Sequence, residues 1–396
     1  MRVCVRIENN QANNRLVNAS RYAEHYINDG LSSLRTYATG NRMDGGNSQV
    51  NAALDSVQTN SGNIDAESLL VSQATPGETG KSVGTGAYMV TQSIANSGSF
   101  VAEQGDLTAN ISQTSTANHV QADSEIVAPN GAIYKSGEVQ TTAMANHQEF
   151  GATQAQIISN VTQTSDTDVQ ATTTSSVQYS PSPNLYASNA YNNYFFAVSN
   201  DRGSQNHTVT QTTSAQSITE ARTDASGSNM WEMAGTSDAA GNTVNVGNTG
   251  GYMIVNSTQT NNNKTVLADT KVEAIEQYGT ATAKATSTGN LMIAGNNDKY
   301  VSIDNNQLNS GGVQASAEFI GRDGYDAYLE TDATGNSAMG YACGACEPDM
   351  SVNNNQVNNG AVTATNTSTI TGTGRSVVSV ARATGNTATY YTSGNP

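Results

Sequence analysis

The residues whose type and spacing could do chemistry are few. Cys343 and Cys346, in CGAC, have the spacing of a redox or zinc pair. Zinc would need two more ligands, and His25, His119, His147 and His207 are scattered far from them along the chain. A thioredoxin-like dithiol would need a βαβ setting, which the surrounding pattern lacks. We therefore read Cys343 and Cys346 as a loop disulfide or a free pair, with Cys4 distant from both. The stretch 323–332, DGYDAYLETD, gathers four acids. It has neither EF-hand spacing nor the GGxGxD signature of calcium-binding arrays, so it reads as a solvated face. No GxSxG, HExxH or phosphate-loop motif occurs. Lys and Arg are few and spread out, unlike the groove of a polysaccharide-cleaving β-helix. A carbohydrate-active enzyme is the alternative reading, because stacked rungs could still pair distant carboxylates. No cofactor or metal is expected.

The elements that would position such groups form a tandem array. MSVNNNQVNNGAVTA from Met350 repeats, with variation, at IENNQANNRLVNA, VTQTSDTDVQA, NSTQTNNNKTVLA and SIDNNQLNSGGVQA. Aligning its Gln gives Gln11, Gln58, Gln113, Gln163, Gln211, Gln259, Gln307 and Gln356, in steps of 47, 55, 50, 48, 48, 48 and 49 residues. A second marker, TGN or a variant, places Asn41, Asn96, Asn146, Asn193, Asn242, Asn290, Asn336 and Asn386 in phase with it. From each Asn to the next Gln is 17 residues in five cases, 18 in one and 20 in one. Two locked markers over eight copies indicate a repeat architecture with a period near 48.

Composition suits that architecture. Charged residues are only 13% and hydrophobic ones 36%, a thin supply for a globular core. A repeat array needs less, because each unit buries its apolar face on its neighbours. Prolines number six, and Thr, Val and Tyr are plentiful, which favours strands over coil. Within VQASAEF, Val313, Ala315, Ala317 and Phe319 share one face, the period of two of a strand. The marker Gln has the parity of these apolar positions. It should point inward and stack on its equivalents as an amide ladder.

Four turn signals recur in each copy. The Gly-Asn of TGN suits positive φ at a tight corner. Polar segments follow the Gln. Pro76, Pro129 and Pro181 mark a third corner, where length also varies. The fourth lies between Asn and the next Gln, where CGACEP is inserted. The weakly helical stretch 21–34 sits in phase with the array and reads as strand and loop. Small inward residues such as Ala, Val, Ser and Thr cannot fill a wide square interior. We therefore expect an all-β solenoid of eight tandem repeats over residues 1–396, one continuous domain, with two flattened strand–turn–strand rungs per repeat.

The net charge of −16 argues against nucleic acid, which needs a basic surface. No run approaches 18 apolar residues, so no membrane-spanning helix is expected. The start, MRVCVRIENN, has no apolar signal core, which suggests a mature form or another export route. Abundant Asn, Thr, Ser and Gly with scarce Lys suits an extracellular or bacterial cell-surface protein. The TTT and TST tracts are out of phase between repeats, which counts against an ice-binding face. Seventeen tyrosines suit wall packing, and Tyr-rich faces can also bind sugars. The cut of the array predicts head-to-tail self-association. Pro396 placed beside Met1 of another copy gives an Asn-to-Gln spacing of 21, near the internal values.

GNTATYY, GNSAMGY and the Gln strands resemble curlin repeats. The alternation of NNQ segments with ATGN-like segments over this longer period resembles the holdfast anchor (HfaD-type) surface proteins of stalked bacteria. That resemblance implies a non-enzymatic adhesive fibre exposed on the cell surface. Its implied partners are extracellular polysaccharide and an outer-membrane secretion or anchoring protein.

Overall fold

A computed structural model describes residues 4–75, 83–297, 300–344 and 349–394. Among them there is no helix. The strands form an eight-stranded sheet and a larger second sheet, and all pairing is parallel. Each strand pairs with its equivalent one repeat away. Gln163 lies beside Gln211, which lies beside Gln259. Asn193 lies beside Asn242, and Asn242 beside Asn290. The chain is a solenoid of parallel rungs, each pairing with the next.

The register corrects the expected rung. Neighbouring strands are a whole repeat apart, so one repeat makes one rung and not two. The fourth rung shows how. It starts with the Gln strand, Gln156–Ser165, and continues through a long extended stretch, Asp168–Asn200. That stretch doubles back at the proline corner, where pairing shifts between Ser180 and Pro183, and bends again at Asn192 and Asn193. The Gln strand faces the segment after Asn193, since Gln163 Nε2 donates to the Tyr194 carbonyl at 3.1 Å. The second segment faces the third, since Thr173 Oγ1 donates to the Ala187 carbonyl at 3.0 Å. Each rung is therefore a long flattened loop, bent in the middle of both sides. The rung is thin, as its small inward residues require. Thinness is achieved by two facing layers within one 48-residue turn.

Side chains alternate in and out along every central strand. The apolar interior falls into three clusters. One, with Val161, Phe195, Val209 and Ile303, lies between the Gln strand and the segment after Asn. A second, with Met230, Val272 and Phe319, fills the proline-corner end. A third, mostly Ala and Val, lies beside the bend. Stretch 21–34 is strand to His25 and strand again from Leu31, without helix. Pro76 lies outside the described residues.

The TGN glycines also need correcting, because none has positive φ. They are small because the neighbour is close. A Cβ on Gly289 would meet the Gly335 carbonyl at 2.5 Å and Asn309 Oδ1 at 2.6 Å. Where the facing residue is Ser115 or Ser165, Ala95 or Ala145 replaces the glycine and is fully buried. Positive φ recurs instead at the fourth corner, on Gln49, Gln104 and Gln154 in three successive rungs, at 61°, 55° and 53°, and at the proline corner on Gly84 and Asp323. The three Gln side chains bond to one another, Gln49 to Gln104 at 3.3 Å and Gln104 to Gln154 at 3.0 Å, which helps hold a conformation that L-residues disfavour.

Candidate functional site

The marker Gln residues form one buried column. Nε2 of each donates to Oε1 of the Gln one rung earlier: Gln58 to Gln11, Gln113 to Gln58, Gln163 to Gln113 and Gln211 to Gln163, all at 2.8 Å. Gln259, Gln307 and Gln356 continue the series at 2.7–2.9 Å. The second N–H crosses the core to the carbonyl after the marker Asn, from Gln11 to Arg42 through to Gln356 to Thr387.

The marker Asn residues form a second column running the other way. Asn41 Nδ2 donates forward to Asn96 Oδ1, Asn96 to Asn146, Asn146 to Asn193, Asn193 to Asn242 and Asn242 to Asn290, each at 2.8 Å. Asn290 and Asn336 pass it on to Asn386. The spare N–H reaches the next rung's Gln strand, as from Asn290 to the Leu308 carbonyl at 2.9 Å. Buried amides thus find both donors a partner in the stack, as burial demands. Gln11 and Gln356 in the terminal rungs are half-buried and Asn386 is exposed.

A third column escaped the sequence reading. Hydroxyls link Thr36, Ser68, Thr91, Ser124, Thr141, Thr173, Ser188 and Thr223 in an unbroken buried chain, with contacts of 2.7–3.0 Å. Its signal was present: a Thr or Ser stands five residues before the marker Asn in six copies of eight.

The reactive residue types are used structurally. His207 is buried against Phe150 and Phe195, with Nδ1 on Ser159 Oγ at 2.7 Å and Nε2 on Gln205 Oε1 at 2.8 Å. Burial pushes its pKa down to about 3, and that of His147 down to about 4. The acids of 323–332 are spoken for by neighbouring rungs. Arg375 Nε bonds Asp326 at 2.9 Å, Arg382 Nη1 bonds Glu330 at 2.9 Å, and Asp323 accepts from the Thr373 amide at 3.0 Å. Those bonds and cations hold the three carboxyls below their ordinary range. Cys343 stands near the end of a strand, half-buried and near Tyr391. Cys346 lies outside the described residues, so the disulfide expected of the pair falls there. Among the described residues no three His, Cys, Asp or Glu side chains gather as a metal site.

This arrangement is a scaffold whose inward polar residues bond along the axis. The family model of holdfast attachment protein D (HfaD) matches residues 27–312. The chain belongs to that family. The HfaD match takes in Gln58 to Gln307 and Asn41 to Asn290, the unbroken middle of both columns. Membership of the HfaD family implies an adhesive, surface-associated role. No curated protein and no solved structure matches the chain. Among the described residues no helix is long and apolar enough to cross a membrane.

Proposed function

We propose that this protein is a non-enzymatic rod at the cell surface that joins end to end and anchors adhesive polysaccharide. One observation carries the reading: the recurring residues are spent on axial ladders, and each ladder is directional, with complementary groups on the two sides of a rung. Each rung presents a Gln N–H and an Asn Oδ1 on one side, and a Gln Oε1 and an Asn N–H on the other. A second copy stacked in the same direction would meet donor with acceptor at both columns. A copy stacked head to head would meet like with like. A rung left open at the end of such a stack also offers unpaired backbone groups, which favour addition of another strand. Such a contact is heterologous and does not close, so it yields a filament. Extracellular export and an outer-membrane anchoring partner belong to the same proposal.

Two measurements test it. Deleting the chain from its native cell should release adhesive material into the medium. Material retained as before would overturn the anchoring role. Sedimentation of the full chain at rising concentration, with electron microscopy, should show growing rods. A strict monomer throughout would overturn the end-to-end role.

A further inference from the structure

Along the proline-corner edge, aromatic side chains recur outside the core on five successive rungs. Tyr134, Tyr179, Trp231, Tyr278 and Tyr325 stand there, one to a rung. Tyr134 and Tyr179 pack edge to face with ring centres 6.2 Å apart. Met230, Gln277 and Gly324 are register partners, so the residues that follow them, Trp231, Tyr278 and Tyr325, succeed one another along the axis. These last three are 46%, 44% and 49% exposed, high for rings of their size. The Arg375 guanidinium sits 5.1 Å over the Tyr325 ring and ends the row.

Beside this row runs a surface groove of about 550 Å³ that crosses five rungs. Tyr88, Glu138, Leu185, Glu232, Thr280 and Thr282 line it. Among the described residues neither Glu138 nor Glu232 has a cation partner. The nearby cations are Lys135, exposed on the row itself, Arg35, which lines the adjoining hollow with Tyr88 and Glu138, Lys284, which pairs with Glu330, and Arg375, which is tied to Asp326.

We propose that this edge is a polysaccharide-binding platform for an extended glycan without acid groups. The proposal rests on the adhesive reading above and gives it a site. Aromatic faces are apolar and electron-rich, which suits the C–H face of a sugar ring. Rungs repeat every ~4.8 Å along the axis, so Trp231, Tyr278 and Tyr325 offer a ring on each of three successive rungs to a chain laid lengthwise. The groove's length across rungs fits a polymer and not a small molecule. Glu138 and Glu232 accept hydrogen bonds from sugar hydroxyls or pair with a sugar amine. They repel uronic or sulfated chains, as does the net charge of −16.

Affinity electrophoresis of the full chain through gels holding a neutral glucan, a partly deacetylated chitin or alginate tests this. The native protein should be retarded by one or both of the first two and not by alginate. Combining Trp231→Ala, Tyr278→Ala and Tyr325→Ala should weaken retardation at least tenfold with the melting temperature kept. Tyr278→Phe with Tyr325→Phe should retain it, because the ring faces remain. Native-like retardation of the triple alanine variant would overturn the site and leave the adhesive reading standing. Preference for alginate would overturn the charge argument. Failure of the native chain to bind any of the three would overturn the platform, and the deletion experiment would still judge anchoring separately.

Discussion

At the position of Gln211 all eight rungs carry the same residue. At the proline corner five successive rungs carry Tyr134, Tyr179, Trp231, Tyr278 and Tyr325, which differ in type and in register. The first column is buried, in unbroken register, and bonded to itself. The second is exposed except at half-buried Tyr179, and pairing shifts beside it between Met230 and Met233 and between Gln277 and Thr280. An inward amide is constrained by the rung on either side, because its partner is its own equivalent. An outward ring at a bulged corner is constrained by neither. The molecule keeps its identity in the seam and leaves the edge free for contact with something else.

The most damaging way to break the seam is Gln211→Leu. It orphans Gln163 Oε1 and a Gln259 N–H, and removes the donor to the Thr243 carbonyl. At about 1–3 kcal/mol for each buried unsatisfied group, the loss is several kcal/mol. Changing Gln163, Gln211 and Gln259 together to Leu removes both partners of the inner bonds. It should cost less than three times the single change, read by urea denaturation. Strict additivity, or no effect, would mean the ladder is not a coupled unit.

The glycine of TGN sharpens the same contrast. Gly289→Ala should cost roughly 1–3 kcal/mol through overpacking against the Gly335 carbonyl and Asn309. Adding Asn309→Ser should recover part of it, since Ala95 and Ala145 already live beside Ser115 and Ser165. No recovery in the double variant would point to the carbonyl contact alone.

Acid should weaken the interior before the edge. His207 and His147 have folded pKa values below the ordinary 6.5, so between pH 6.5 and 4 the unfolded chain binds protons that the folded chain refuses. Stability is then full above pH 6.5 and falls on acidification, by roughly 1.4 kcal/mol per pH unit for each histidine. His207→Gln should flatten this slope in melts taken from pH 7 to 4.5. An unchanged slope would assign the loss to other groups. The smallest effect belongs to the corner: a short polar tag beside Pro181 should shift the melting temperature little, because the residue is exposed on a bulged turn.

Period, strand class and marker positions were legible because stacking repeats the same residues at the same phase. The rung was not, because a 48-residue repeat is compatible with one loop or two. Only pairing distance, Gln on Gln, distinguishes them. The role of the TGN glycine was hidden for a related reason. Gly marks both positive φ and close approach, and here the approaching atoms come from the next rung. The hydroxyl chain from Thr36 to Thr223 was hidden by composition, since Thr and Ser are so common that six aligned ones do not stand out. The exposed aromatic edge was hidden because its members are out of strict register, and only the folded corner brings them together.

One rung per repeat also sets how the rod responds to being pulled. Axial load falls across the hydrogen bonds of a whole rung at once, side chains and backbone alike, so the intact stack is stiff. If an end rung peels away, it releases about 48 residues, or roughly 160 Å of extended chain, in exchange for ~4.8 Å of stack. Peeling therefore lengthens that rung's share of the tether about thirtyfold. A cell held by such a rod would meet a rising force with sudden slack before it met rupture.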